Sequence, residues 1–239
     1  MTTTKLHLTR ITKTYEGSMT LLTGNDCVEA KRILAPNEYK CYVEFKSEKR
    51  KSEYLYGRYA AKISAMELLG ESDPKKVEII SGVFSQPILR CNNNIDNISV
   101  SISHTSNMVG ALAFPETHPM AIDVEEIDRM NLDLIVQHLL PDEQDMVVKA
   151  KTFETSMATL LWSVKESLSK VLKTGLTISI PLLKISKKVK NDDHYVFEFE
   201  HFTQYKVQGW MIENYVLTIC LPKNTTLKMD LIPMNFDKI

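Results

Sequence analysis

The 239-residue sequence predicts an α+β protein with antiparallel sheets, and three observations lead to this fold class. Strand-like and helix-like patterns are mixed, without the regular strand–helix–strand repeat of parallel α/β folds. Two long segments, residues 52–70 and 155–172, have helical periodicity. Several short segments between residues 98 and 221 either alternate or are continuously apolar, as strands do.

The first half contains one helix and two neighbouring strands by this criterion. The helix stops at Gly70, a residue suited to a helix end, and its apolar stripe is Leu55, Tyr59, Ile63, Met66 and Leu69. Residues 98–103 alternate isoleucine or valine with serine, which predicts a half-buried strand. The apolar stretch Met108–Phe114 follows a short polar turn and predicts the adjacent strand.

A break at residues 115–119, bounded by two prolines, predicts a division into residues 1–116 and 117–239. The next segment alternates Met120, Ile122 and Val124 with Ala121, Asp123 and Glu125, which predicts a strand with two acids on one face. The helix at 155–172 has a core stripe of Met157, Leu160, Leu161, Val164, Leu168 and Val171. Three further strands are predicted at 195–199, 208–213 and 215–221.

The composition is that of an ordinary globular protein, with 44% apolar and 25% charged residues. Lys plus Arg number 29 against 30 Asp plus Glu, and this balance disfavours a general nucleic-acid binder. No apolar run approaches the ~18 residues that span a bilayer. The sequence starts without an apolar secretory core, and its four cysteines form no zinc or disulfide pattern. We therefore expect a cytoplasmic protein that binds neither nucleic acid nor membranes.

Asp123 and Glu125 are the first candidate site. Side chains two residues apart on a strand point the same way, at roughly 6–7 Å spacing. Two such carboxylates suit a hard cation such as Mg²⁺. The alternative is an exposed acidic strand face, which the neighbouring Glu126 and Asp128 would also fit.

A second polar stripe on the 155–172 helix is the next candidate. It consists of Trp162, Lys165, Glu166, Ser169 and Lys170. An acid beside ammonium groups suits a phosphate-bearing ligand near a metal. The alternative is a solvated face with a Glu166–Lys170 ion pair, which contributes only ~0.3–0.5 kcal/mol.

Two further groups could bind phosphate. Ser103 and His104 end the first predicted strand, although a lone histidine is more often structural. Arg50 and Arg58 belong to a basic region that starts at Lys46, and arginines bind phosphate bidentately. The alternative is a solvated basic surface.

Taken together, three motifs resemble those of the 4′-phosphopantetheinyl transferase superfamily, over about residues 36–222. They are S-I-S-H-T at 101–105, A-I-D-V-E at 121–125 and W-S-V-K-E-S-L-S-K at 162–170. The length is similar to that of the surfactin-synthetase-activating type. The resemblance implies a pseudo-two-fold pair of α+β halves, a monomer, and coenzyme A bound in a cleft.

The resemblance also implies roles for particular residues. The metal ligands, for Mg²⁺ or Mn²⁺, are Asp123, Glu125 and Glu166, and the catalytic residues are Glu166 and Lys170. The expected coenzyme A contacts are Arg50, Arg58, Ser85, Gln86, Pro87, Ser103, His104, Lys165 and Lys170. Glu143 resembles an acidic residue that the family places near the site.

The sequence departs from the family pattern at several positions. Ala121 replaces the usual glycine of the second motif. Ser85-Gln86-Pro87 replaces a glycine-lysine-proline loop, so its lysine is missing. Glu38 and Cys41 occupy positions of two phosphate-binding lysines. The resemblance therefore predicts that coenzyme A binding depends on Arg50, Arg58 and His104.

The implied function is transfer of 4′-phosphopantetheine from coenzyme A to a serine of an apo acyl or peptidyl carrier protein, with release of 3′,5′-ADP. The alternative is a catalytically weak paralogue that binds coenzyme A or a carrier. The segment Met130–Val148 is a candidate carrier-docking surface through Met130, Leu134 or Met146; otherwise these residues are core.

Overall fold

A computed structural model describes residues 1–23, 30–92 and 97–229 of the chain. Cys27 therefore lies outside the described residues. The strands are β1 (Thr2–Thr9), β2 (Thr14–Thr23), β3 (Glu78–Ser81), β4 (Pro87–Arg90), β5 (Ile98–His104), β6 (Met108–Pro115), β7 (Ala121–Glu126), β8 (Ile185–Lys190), β9 (Tyr195–Phe199), β10 (Tyr205–Ile212), β11 (Tyr215–Pro222) and β12 (Thr226–Lys228). The α-helices are α1 (Pro36–Glu44), α2 (Glu48–Leu69), α3 (Leu132–Gln137), α4 (Pro141–Lys149) and α5 (Glu154–Leu172).

The first compact unit is a five-stranded sheet in the order β12-β1-β2-β6-β5, with the hairpin β3-β4 beside it. Helix α2 packs on β2 and β6. It begins after Ser47, whose side chain accepts a hydrogen bond from the Arg50 amide, and ends at Gly70 with φ 62°. Its alanines Ala60, Ala61 and Ala65 are fully buried in the core with apolar residues of β5 and β6.

The second compact unit is a five-stranded sheet in the order β7-β11-β10-β9-β8. Helix α5 packs across β7, β11 and β10. The approach is close at Gly209 of β10, where an added Cβ would lie 2.7 Å from Leu160 Cδ1. The core includes Leu160, Leu161, Val164 and Leu168 from the predicted stripe of the helix.

The α+β class with antiparallel sheets is confirmed, and so are both predicted helices and the strands β5 to β7 and β9 to β11. The half-buried character predicted for β5 is wrong. Ser101 and Ser103 are buried, whereas Ile102, which faces Gly57 of α2, is only partly so.

Among the described residues, the first unit comprises those of Met1–Ser103, Asn107–His118 and 224–229, and the second comprises His104–Ser106 and Pro119–Lys223. The division into residues 1–116 and 117–239 stays a prediction; β12, which it assigns to the second half, pairs with β1. Residues 230–239 of that prediction lie outside the described residues. Among the described helices, none is long and apolar enough to cross a membrane.

Candidate active site

The two predicted acids of β7 lie where this strand meets α5. Asp123 is 2% exposed, and its register partner on β11 is Thr218. Glu125, two residues further along, pairs in register with Val216 and is half-buried. Because β7 is regular, both carboxylates extend from the same face of the strand.

Helix α5 presents a single line of incompletely buried side chains over its middle and last turns. Between Met157 and Ser169, only Trp162 and Glu166 are not fully buried, and Lys170 continues their four-residue spacing. The predicted stripe is therefore divided: Lys165 and Ser169 point into the interior. Trp162, Glu166 and Lys170 form the open face of the helix.

Asp123 is held by two hydrogen bonds from α5. The Ser163 hydroxyl donates to Oδ2 at 2.6 Å, and the Lys170 ammonium donates to Oδ1 at 2.6 Å. Ser163 also contacts the Thr218 hydroxyl at 2.9 Å, and this hydroxyl donates to the Ser163 carbonyl at 3.1 Å. A buried carboxylate with both oxygens bonded has a fixed orientation.

The three carboxylates interact strongly with one another. Burial raises the pKa of Glu125 to about 8, with a further contribution from the charge of Asp123, whereas the Lys170 ammonium lowers it. Burial and the Asp123 charge also raise the pKa of Glu166. The Trp162 side chain makes a small contribution that lowers the pKa of Glu125. Ionising all three acids together is thus unfavourable in this surrounding, and the Lys170 ammonium opposes the effect.

This donor set fits a divalent cation. Asp123, Glu125 and Glu166 would offer hard oxygen ligands, and a bound cation would favour the ionised forms of Glu125 and Glu166, whose pKa values are raised without it. In residues 1–23, 30–92 and 97–229, no three His, Cys, Asp or Glu side chains form a ready metal-binding group. The three acids are therefore near enough to shift one another's pKa values, but their oxygens are not arranged as a complete set of metal ligands.

Lys165, expected to bind coenzyme A, lies in the interior and is 0% exposed. Its ammonium forms an ion pair with Glu143 at 2.7 Å and donates to the Leu183 carbonyl at 3.1 Å. Glu143 is equally buried and also accepts from the amides of Leu140 and Ile185. An ammonium enclosed in this way does not reach a ligand, so the expectation for Lys165 is corrected, and Glu143 is part of the same internal pair.

The first unit contains an equivalent pair, Glu38 and Lys62. Glu38 accepts from the amides of Ala35 and Ile79, as Glu143 does from those of Leu140 and Ile185. Lys62 forms a fully buried ion pair with it. Each glutamate is the third residue of a helix that starts with proline, α1 or α4. Glu38, which replaces a lysine of the family pattern, therefore serves the interior of its unit.

The expected coenzyme A contacts of the first unit lie in two places. Arg50 is exposed in the first turn of α2, beside Glu53. Arg58 is 9% exposed; its Nη2 donates to Ser81 Oγ at 3.2 Å and its guanidinium lies over the Tyr54 ring. In the part of the structure described, its buried Nε has no hydrogen-bond partner. The Arg58 side chain thus reaches from α2 to the end of β3, where the turn to β4 begins.

That turn contains the predicted loop. Ser85 has φ 63°, Gln86 closes the turn through hydrogen bonds from the Gly82 and Phe84 amides, and Pro87 starts β4. In β5, Ser103 is buried and His104 is exposed at the end of the strand. The structure therefore groups Arg58 with the 85–87 turn.

Sequence reasoning missed Ser163, Thr218 and His138. The His138 ring meets the Trp162 ring edge to face, with the two centroids 5.7 Å apart. Ser163 immediately follows Trp162 in the third motif, so its place on α5 was available as a signal. No sequence signal indicated Thr218, because it is the strand register that brings it opposite Asp123.

Fold and site together define a class: an α+β protein whose second unit carries a carboxylate–lysine cluster suited to a metal and a phosphate ligand. The family model of the 4′-phosphopantetheinyl transferase superfamily matches residues 119–220, which contain this entire cluster. A holo-[acyl-carrier-protein] synthase of Mycoplasma capricolum is 30% identical over 103 residues, 39% of this chain and 92% of that protein. The chain belongs to the 4′-phosphopantetheinyl transferase superfamily.

Two relatives from Bacillus subtilis are also similar. Both are 4′-phosphopantetheinyl transferases, one 25% identical over 134 residues and the other 28% identical over 105 residues. These matches cover 54% and 44% of this chain. They span 58% and 45% of the lengths of the two relatives.

Proposed function

We propose that the protein transfers 4′-phosphopantetheine from coenzyme A to a serine of an apo acyl or peptidyl carrier protein. The observation that carries this proposal is the grouping of Asp123, Glu125, Glu166 and Lys170 within the region matched by the family model. The similar proteins from Bacillus and Mycoplasma bear the names of enzymes that perform this type of transfer. The proposed reactants are coenzyme A and a carrier protein.

In the proposed reaction, the serine oxygen bonds to the phosphorus of the pantetheine phosphate, and the bond to the bridging oxygen breaks to release 3′,5′-ADP. Asp123, Glu125 and Glu166 would hold Mg²⁺, which supplies neutralisation of charge on the pyrophosphate oxygens. Lys170, adjacent to these acids, offsets charge on the departing nucleotide phosphate. The acids and Lys170 thus act mainly by positioning and by electrostatics.

Glu166 is the proposed proton acceptor for the serine hydroxyl. It belongs to the open face of α5, where a substrate can approach, and its burial-raised pKa makes its ionised form a stronger base. Asp123 is less suitable, because both of its oxygens already accept hydrogen bonds from Ser163 and Lys170. The roles are thus divided between an orienting acid and a reacting one.

The decisive experiment is intact-mass analysis of a panel of apo-carriers incubated with coenzyme A, Mg²⁺ and the protein. We expect one carrier to gain the mass of a single phosphopantetheine, and its serine-to-alanine variant to gain nothing. One of the Bacillus subtilis transferases serves as the positive control for each carrier. If coenzyme A binds but no carrier modified by the control gains mass, the catalytically weak alternative replaces the proposal.

Arg58 is proposed to bind the 3′-phosphate of coenzyme A. Its unpartnered Nε and its position beside the 85–87 turn leave hydrogen-bonding capacity for an anion. Because a charge-assisted contact contributes ~1.5–3 kcal/mol, Arg58→Gln should weaken coenzyme A at least about tenfold and leave dephospho-coenzyme A almost unchanged. Calorimetry with both ligands checks this, and Lys49→Gln, an exposed change on the same helix, is the control. Equal losses for both ligands would contradict the assignment.

The proposed carrier-docking patch consists of Met130 and Leu134, which are 91% and 59% exposed. Met146, also considered, packs partly against the core and is left out. The patch is connected to the active site through His138, whose ring nitrogen bonds the Leu134 carbonyl and whose ring meets Trp162. Exposed apolar side chains beside a catalytic face suit a transient protein partner.

Leu134→Glu should therefore raise the KM for the carrier about tenfold or more, with kcat and coenzyme A affinity little changed. Val148→Glu is a matched control, since Val148 is similarly exposed but lies at the far end of α4. Steady-state kinetics with both substrates varied separates these effects. An equal rise in KM for both substrates, or the same effect from Val148→Glu, would contradict the docking assignment.

A further inference from the structure

A cavity of about 490 Å³ lies within the second unit, away from the carboxylate cluster. It is formed by the end of α4, the start of α5 and the β8–β9 hairpin, and it shares none of its lining residues with the proposed transferase site. Its volume is in the range of small-molecule sites. The proposed transfer reaction does not involve this cavity.

The floor of the cavity is apolar and adaptable. Met146, Met157 and Met211 line it, one each from α4, α5 and β10. Phe153 stands at the edge with 64% of its surface exposed. Unbranched methionines accommodate flexible apolar chains better than rigid residues do.

One wall of the cavity is basic. Lys149, Lys188 and Lys190 line it, and in the described part of the chain no carboxylate lies within ion-pair distance of these three. The Lys188 ammonium instead lies 3.9 Å from the sulfur of Met157, one of the three methionines. Burial, together with the charge of Lys149, lowers the pKa of Lys188. An anion between these two lysines would relieve both effects.

The other groups around the cavity do not neutralise this wall. Asp193 is already bonded to His194, with Nδ1 and Oδ1 2.7 Å apart, and Asp192 is exposed in the hairpin turn. The Lys188 and Lys190 ammonium groups lie 6.0 and 5.8 Å from the centroid of the Tyr195 ring. The positive charge available to an anion is thus at Lys149 and Lys188, which line the cavity together with the methionines.

We propose that this cavity binds a small amphipathic anion, with its apolar chain over the three methionines and its headgroup between Lys149 and Lys188. The headgroup chemistry is a carboxylate or a phosphate monoester. The site is independent of the transferase proposal, since neither the acids nor Lys170 contribute to it. Its occupant would contact α5 one turn or more before the catalytic face.

The test uses the full-length protein with ¹³C-labelled methionine methyl groups, titrated with octanoate, octyl phosphate and neutral 1-octanol. We expect saturable shifts of the Met146, Met157 and Met211 signals with the two anions, assigned by methionine-to-leucine variants, while Met19, in the core of the first unit, stays unchanged. The stronger of the two anions identifies the headgroup. Octanol should bind at least about tenfold more weakly, because it lacks the charge-assisted contact.

Lys188→Gln should weaken the preferred anion about tenfold. Lys187→Gln is the matched control, because Lys187 is the preceding residue of β8, is exposed and pairs with Glu198 instead. The proposal is overturned if 1-octanol binds as tightly as the anions, if both glutamine variants have equal effects, or if the three methionine signals do not saturate.

Discussion

Asp123→Asn is expected to reduce phosphopantetheine transfer by roughly a thousandfold or more, because it removes one of three charges that would hold the metal, which contributes several kcal/mol. Asparagine preserves the shape of the side chain and can still accept the Ser163 hydrogen bond. The fold should therefore persist. Single-turnover transfer to the carrier, followed by intact mass, measures the loss, and Mn²⁺ binding measured by calorimetry should weaken in parallel.

Glu126→Gln is the control for this variant. Glu126 follows Glu125 on the same strand, so its side chain points to the opposite face, and it pairs in register with Tyr215 rather than with the cluster. Transfer by this variant should remain within a few-fold of the unmodified protein. If Asp123→Asn also retained transfer within a few-fold, the carboxylate cluster would not be the metal site.

Lys165→Met is expected to destabilise the protein by about 3–5 kcal/mol, because it leaves the Glu143 carboxylate buried without its ammonium partner. The double variant Lys165→Met/Glu143→Gln should recover much of this loss, since the amide still accepts from the Leu140 or Ile185 amide and carries no charge. Chemical denaturation of the three proteins measures these differences. Coenzyme A affinity of the folded double variant should be nearly unchanged.

An opposite pattern would restore the original expectation for Lys165. If the double variant were as stable as the parent but bound coenzyme A at least about tenfold more weakly, the lysine would contact the ligand after all. The equivalent change in the first unit, Lys62→Met, gives an internal comparison, because Lys62 also pairs with a buried glutamate and donates to backbone carbonyls.

The α+β class and the long elements were predictable because their apolar residues repeat at the period of the structure. The periodicity of α5 placed Trp162, Glu166 and Lys170 on one face, but it did not separate Lys165 from them. In the sequence, Lys165 is a charged residue next to the motif acid Glu166 and is therefore expected to be exposed. It is buried because it forms an ion pair with Glu143, which is distant in the sequence. Strand β1 was missed because only two of its eight residues, Leu6 and Leu8, are apolar, so its alternation is hard to recognise from hydrophobicity.

Contacts between residues distant in the sequence account for the other differences between the predictions and the structure. β12 is a three-residue strand, and nothing in its own sequence shows that it joins β1 at the opposite end of the chain. Thr218 joins the site only because β11 pairs with β7 in a particular register. The serines of β5 alternate as if they were solvated, yet Ser101 and Ser103 are buried. Such contacts depend on tertiary neighbours rather than on local pattern.

The two buried Glu–Lys pairs bear on the ancestry of the chain. In each unit a helix covers two antiparallel strands, and a helical serine joins them: Ser64 contacts Thr20 and the Ala111 carbonyl, whereas Ser163 contacts Asp123 and Thr218. A threonine in the first unit thus stands where the second has its acid. Duplication of one ancestral unit followed by divergence would account for this result, in which both units have the buried ion pair and the helical serine and the second has the carboxylate at this position.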